Sequence, residues 1–167
     1  MRLETELDNI AQIVKLKEKE NISFQTYLKT QNAEKIDEIV HRLYEDILPQ
    51  IHCVDCGNCC MNLRPIGTEK ELRPFVAPEN MQAFMYLKAF SCKHIKDKKC
   101  TIYADRPEEC RSYPYLHKEN FIDRTHGVLQ NYEICPIVFN VFEQLKIELK
   151  WSNKKSDVFF DREVALE

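Results

Sequence analysis

The sequence predicts a mainly α-helical protein around a loop-rich, metal-stabilised cysteine core, with a few short strands. Three observations carry this. Apolar residues recur at helical spacing in the stretches 3–18, 33–48 and 136–151. All eight cysteines lie between Cys53 and Cys135. The stretch 92–135 reads mostly as loop. At 167 residues the chain is long enough to bury a core without cross-links. It divides into a helical arm at 1–50, a cysteine-cluster domain at 51–135, and a C-terminal helix and tail at 136–167.

Taken in order, Leu3, Leu7, Ile10, Ile13, Val14 and Leu16 predict an amphipathic helix over 3–18. Asn21 or Ser23 is expected to cap a short second helix holding Phe24, Tyr27 and Leu28. Ile36, Ile39, Val40, Leu43 and Ile47 follow helical periodicity, and Pro49 ends that helix because proline cannot continue the hydrogen-bond ladder. Thr68-Glu69-Lys70-Glu71 has the form of a capping box. Pro78 suits the first turn of a further helix with Met81, Phe84, Met85, Leu87 and Phe90 as its core face. A short helix is expected after Pro107, with short strands near 100–103 and 126–130. Val138, Val141, Phe142, Leu145 and Leu149 mark a helix from Pro136 to about Trp151, followed by a tail in which Phe159 and Phe160 could dock.

Composition removes several function classes. Lys and Arg total 24 against 27 Asp and Glu, a formal charge of -3, so a basic footprint for duplex nucleic acid is absent. The arm holds 7 basic and 10 acidic residues, so the net negative charge sits there. It reads as a solvated helix face or a partner-docking surface. No apolar run reaches the roughly 18–20 residues of a membrane span. Only Gly57, Gly67 and Gly127 occur, which leaves no dinucleotide or phosphate loop. No apolar signal core follows Met1, which points to the cytoplasm. Thiols there stay reduced, and clustered cysteines mean metal or redox chemistry rather than a disulfide framework.

The cysteines are Cys53, Cys56, Cys59, Cys60, Cys92, Cys100, Cys110 and Cys135. The run Cys53-Val54-Asp55-Cys56-Gly57-Asn58-Cys59-Cys60 holds two overlapping CxxC units. A CxxC turn brings two sulfurs to one metal and aims backbone N–H groups at them. Gly57 stands where such a knuckle benefits from positive φ. CxxCxxC also wraps one face of an iron–sulfur cluster, and Cys135-Pro136 has the form of a distal cluster ligand. The CxxCG knuckle and the uneven gaps to Cys92, Cys100 and Cys110 suit zinc. The cofactor is therefore an iron–sulfur cluster, of the four-iron type, or zinc. Vicinal side chains diverge, so Cys60 could be spare, and Cys56→Ser is expected to lower metal content more than Cys60→Ser.

Lys93, Lys96, Lys98, Lys99, Arg106 and Arg111 lie beside the later cysteines, where cations stabilise thiolates and raise a cluster's potential. Arg106 and Arg111 are the supporting residues singled out, Arg111 because it follows Cys110 directly. His52 and His94 adjoin cysteines but compete with eight thiols as ligands, and His41, His117 and His126 lack ligand spacing. Asp105, Glu108 and Glu109 could serve acid–base chemistry, but a helix start explains them. No catalytic residue is assigned. The partner is an unidentified redox protein, or a protein bound by a zinc-stabilised module.

The two cysteine segments together resemble the YkgJ-like CxxCxxCC cysteine-cluster family, described as zinc- or iron-chelating. Its CxxCGxCC pattern matches residues 53–60. Its later pattern matches Cys100-Thr101-Ile102-Tyr103-Ala104-Asp105-Arg106-Pro107-Glu108-Glu109-Cys110-Arg111-Ser112-Tyr113-Pro114. The likeness spans roughly residues 53–135 and leaves the arm outside. It implies that all eight cysteines form the metal-binding set. It also implies that Ile102, Tyr103, Arg106, Pro107 and Arg111 support them, the arginines by donating to sulfur or carboxylate. A similar module occurs in the much longer flagellin lysine-N-methylases, but nothing here supplies their extra length or a methyl-donor loop, and that activity is not expected.

Overall fold

A computed structural model describes residues 2–63, 68–84 and 92–152. In chain order the helices are α1 (Leu7–Leu28), α2 (Ala33–Ile47), α3 (Cys53–Cys56), α4 (Asn58–Asn62), α5 (Glu69–Leu72) and α6 (Met81–Phe84). Strands β1 (Ile95–Lys96) and β2 (Lys99–Cys100) follow, then α7 (Glu108–Ser112), α8 (Phe121–Gln130) and α9 (Pro136–Glu148). The protein is mainly helical with one two-stranded antiparallel ribbon among the described residues. None of the described helices is long and apolar enough to cross a membrane. Two compact units result: Met1–Ile47 with Leu116–Glu167, and Leu48–Tyr115.

In the helical unit α2 packs on α8 and α9, and α1 packs on the same two helices. Phe24 meets Phe142 edge-on at 5.2 Å, and Tyr132 meets Phe142 at 5.5 Å and Phe139 at 5.0 Å between ring centroids. Ile36, Val40 and Ile47 bury the predicted stripe of α2. The helix gives way at Leu48–Gln50 to one 3-10 turn containing Pro49, as expected.

Three expectations fail here. The first helix does not break at Asn21 or Ser23; α1 is continuous through Leu28. Asn21 is no cap: it is buried and its Oδ1 accepts from Lys146 Nζ at 2.5 Å. The helix also begins later than Leu3, where Asn140 ties down the irregular segment before it. Asn140 Oδ1 accepts from Glu4 N–H at 2.9 Å and its Nδ2 donates to Glu4 O at 2.7 Å. Residues 126–130 are helical, not a strand. Phe121, Thr125 and Val128 form a buried helical stripe, and the Asp37 carboxylate accepts from the N–H groups of Asn120 (2.7 Å) and Phe121 (2.8 Å) at the helix start. Those are orphan donors of a helix N-terminus, satisfied by a residue 83 positions away.

Lys146 is 5% exposed. Its ammonium donates to Glu143 (2.6 Å), Glu20 (2.8 Å) and Asn21, so the buried charge is matched. Burial works against ionisation of Glu143, but hydrogen bonds from Lys146, Lys17 and Tyr132 outweigh it and hold the carboxyl below its ordinary range. A depressed folded pKa gives stability that is present above the unfolded value, roughly 4.3, and lost as pH falls through the folded one. The stability advantage of wild type over Glu143→Gln should therefore be full at pH 6–7 and shrink below about pH 4. Urea unfolding at stepped pH checks this; a constant difference down to pH 3 would refute it.

In the second unit Leu72, Phe75, Val76 and Phe84 form the apolar cluster. The capping box forms as expected, with Glu71 Oε2 accepting from Thr68 N–H (2.8 Å) and Oγ1–H (2.7 Å). Pro78 opens a 3-10 turn leading into α6. Met85, Leu87 and Phe90 of that expected helix, and the tail with Phe159 and Phe160, lie outside the described residues. The expected strand near 100–103 is confined to Lys99–Cys100, paired to β1 with Ile95 opposite Cys100. Tyr103–Asp105 is instead a 3-10 turn.

Candidate metal centre

The knuckle forms as its residues dictate. His52 O accepts from Cys56 N–H at 3.2 Å, and Cys53 O accepts from Gly57 N–H at 3.3 Å, closing the α3 turn. Gly57 then takes φ +56° and starts α4, which carries Cys59 and Cys60. The positive φ is one reason for glycine. A second is the ribbon: a Cβ here would stand 2.1 Å from Lys98 O. Asp97 and Lys98 both adopt positive φ in the two-residue turn joining β1 to β2. That turn lies over the knuckle, β2 lies against α3, and Lys99 pairs with Asp55 at 3.0 Å. Cys100, on β2, is thereby brought to the first cysteine segment.

Cys92 is fastened by its N–H to Cys60 O at 2.8 Å. The residues after it are tied elsewhere: Lys93 Nζ donates to Arg73 O (2.8 Å), and His94 Nε2 lies 2.9 Å from Pro74 O. Pro107 precedes α7, and its carbonyl accepts from Cys110 N–H at 3.0 Å, so that turn presents Cys110. Cys92 and Cys110 both pack against the apolar cluster of Leu72, Phe75, Val76 and Phe84.

The electrostatics show which thiols share an environment. Burial pushes Cys110 up to about 11, and Cys60, Cys92 and Cys100 add to the rise. Burial also raises Cys92, helped by Cys60 and Cys100. Burial raises Cys53, with Cys56 and Cys60 adding and Arg106 opposing. Cys60 goes the other way, down to about 7. The main cause is the neighbouring Cys59 thiol, 3.9 Å from its sulfur, with burial opposing and Arg106 assisting. Cys60 is thus beside Cys59 and within electrostatic reach of Cys53, Cys92 and Cys110.

Seven of the eight sequence-predicted cysteines therefore lie in this unit, none in a disulfide and all half-buried. Cys135 is in the helical unit, buried at the start of α9. Among the described residues no three His, Cys, Asp or Glu side chains already converge on one metal-sized point. The donor set is soft thiolate, which fits zinc and iron–sulfur clusters alike.

Arg106 and Arg111 part company. Among the described residues Arg111 makes no hydrogen bond to sulfur or carboxylate. Its Nε donates to Arg106 O (3.0 Å) and its Nη2 to Ala104 O (2.6 Å), fastening the turn before Pro107. Arg106 lies over the Tyr103 ring, its Cζ 3.8 Å from the centroid. The sequence singles out Arg111 for following Cys110 directly, and the family resemblance sets Arg106 beside it in the same supporting role; the fold separates the two. Sequence reasoning missed the Gly57–Lys98 contact, which no local signal reveals. The histidines take no common place: His52 is exposed before α3, His41 and His126 lie on α2 and α8, and His117 packs its ring on Tyr44 at 6.3 Å.

One family model matches, over residues 52–136: CxxCxxCC, described as a putative zinc- or iron-chelating domain. That span is just over half of the chain. No curated protein and no solved structure matches it.

Proposed function

The chain belongs to the CxxCxxCC family, and from that premise we propose that its cysteine unit binds iron as an iron–sulfur cluster serving electron transfer with a protein partner. The observation that carries this is the all-thiolate donor set: seven thiols belong to one unit, while His94 Nε2 lies 2.9 Å from Pro74 O. A cluster and a zinc ion each take four thiolates, and with His94 engaged elsewhere the mixed sulfur–nitrogen sites that zinc takes are disfavoured. Cys60, Cys92, Cys100 and Cys110 are the thiolates assigned to the cluster: Cys92 N–H donates to Cys60 O (2.8 Å), Cys92 O accepts from Ile95 N–H (3.0 Å), Ile95 pairs with Cys100, and Cys92 and Cys110 pack on the same apolar cluster. When bound, the cluster supplies a one-electron couple. The chain's part is to anchor Cys92 and Cys110 on apolar side chains and to present Cys100 from the ribbon. A reducing compartment such as the cytoplasm keeps these thiols available.

One observation favours a second reading. The CxxCG knuckle with a β-ribbon seated on Gly57 is a rigid scaffold of the kind that closed zinc sites use. Zinc would then contribute folding free energy directly, and the unit would serve as an interaction module.

Metal and acid-labile sulfide content of anaerobically purified protein, with its visible spectrum, separates the two. Iron with sulfide and broad visible absorption is the expected result; stoichiometric zinc without colour selects the second reading. In either case the bond from Cys92 N–H to Cys60 O and the Cys59 sulfur beside it argue for Cys60 as a ligand, against the order expected from the sequence. Cys60→Ser should lose most of the metal, and more of it than Cys56→Ser. Equal retention in both variants would remove Cys60 from the ligand set.

A further inference from the structure

We propose that the lysine-bearing ribbon β1–β2 is the docking surface for the electron-carrying partner, and that this partner is an acidic protein. The inference names the partner of the electron-transfer reading above and rests on it. Residues 93–99 hold four lysines and one aspartate, whereas residues 48–115 outside that segment hold six basic and seven acidic residues. The positive charge of the cysteine unit is therefore concentrated in the ribbon.

Folding alone does not favour that arrangement. Ile95 opposes Cys100 and Lys96 opposes Lys99 in the antiparallel register. The first pair is half-buried and the second is exposed. Like charges directly opposite each other across a ribbon are destabilising. The turn adds a second cost, because Lys98 takes φ 64° at a position where glycine is favoured. Two of the lysines have partners within the unit: Lys99 pairs with Asp55 at 3.0 Å, and Lys93 donates to Arg73 O at 2.8 Å. Lys96 and Lys98 are exposed, and their ammonium groups make no hydrogen bond or ion pair among the described residues. They are the two left to meet a partner. Lys99 directly precedes Cys100, so a protein held on this ribbon lies next to a thiolate assigned to the cluster. Four lysines neutralise few phosphates, and the chain as a whole carries -3, which repels an extended polyanion. A protein with a local acidic patch engages the ribbon alone and gains on-rate and orientation from it.

The test measures association of the full chain, purified anaerobically, with two acidic one-electron carriers, a plant-type ferredoxin and a flavodoxin, at low and high salt. Wild type should bind, at least about tenfold more tightly at low salt. Lys96→Glu with Lys98→Glu should weaken low-salt binding at least about tenfold. Lys29→Glu with Lys35→Glu makes the same change in net charge at exposed lysines of the helical unit, and should stay within about twofold of wild type. Lys98→Gly separates docking from folding. It relieves the left-handed backbone, so Tm should hold or rise, while binding weakens about two- to fivefold, the worth of one exposed ion pair. This variant decides alone should the double variant fail to fold. Ribbon variants that bind like wild type overturn the inference, and so does wild type that binds neither carrier. Tighter lysine-dependent binding of duplex RNA or of phosphatidylserine vesicles than of the carriers overturns it too. Electron transfer is read separately by stopped-flow absorbance. Lysine-dependent binding without electron transfer supports the surface and overturns the redox reading, whereas electron transfer indifferent to both lysines overturns the surface and spares that reading.

Discussion

Gly57→Ala should dismantle the cysteine unit. The substitution meets two obstacles at once. A side chain at φ +56° is disfavoured by about 1–2 kcal/mol. The new methyl would also overlap a backbone carbonyl, Lys98 O, at 2.1 Å. That carbonyl cannot swing aside as a flexible side chain would, because Asp97 and Lys98 are held at φ 50° and 64° in the tight turn of the ribbon. Either the ribbon lifts from the knuckle, taking Cys100 with it, or the knuckle opens and Cys53 and Cys56 separate. The expected loss is at least about 3 kcal/mol, with metal content falling to a small fraction of wild type. Metal analysis after gel filtration and thermal unfolding of the metal-loaded protein measure both. Gly127→Ala is the matched control. Nothing lies within 4 Å of its added Cβ, and it sits on the exposed side of α8, so it should be neutral or stabilise by up to about 1 kcal/mol. A Gly57 variant as stable and as metal-replete as that control would show that the ribbon does not seat on the knuckle.

Phe142→Ala should be the most damaging single truncation in the helical unit. Phe142 is fully buried and contacts the rings of Phe24 and Tyr132 from one position on α9. Removing it joins two ring contacts into one void, for which about 3–5 kcal/mol is typical. The surroundings cannot readily collapse, because Lys146 stands beside the same rings and is held by Glu20, Asn21 and Glu143. A fall in Tm of roughly 10 °C or more is expected for a chain of this size. A change of only a degree or two would mean that α9 does not anchor the core. Leu16→Ala, at a position 84% exposed, should by comparison change little.

Elements whose cause is local were legible in the sequence. The apolar stripe of α2, its stop at Pro49, the Thr68–Glu71 capping box, the α7 turn after Pro107 and the start of α9 at Pro136 all appear as expected. Elements whose cause lies far along the chain were not. Residues 126–130 carry a β-branched residue and a glycine, which mimic a strand edge, yet Asp37 caps them into a helix. Asn21 has the composition of a cap, but Lys146 claims its side chain and α1 runs on.

By itself the sequence determined the kind of protein this is: mainly helical, rich in clustered cysteines, and a member of a zinc- or iron-chelating family through two cysteine segments. Spacing, periodicity and capping act over a few residues, so one dimension suffices to read them. Only the tertiary structure decided that Cys92 is bonded to the backbone of Cys60, that Gly57 lies against Lys98, and that Arg106 stacks on Tyr103 while Arg111 fastens the turn before Pro107. Those are contacts between segments brought together by burial of Leu72, Phe75, Val76 and Phe84. Side-chain spacing within a segment carries no information about which distant segment the apolar core will place beside it.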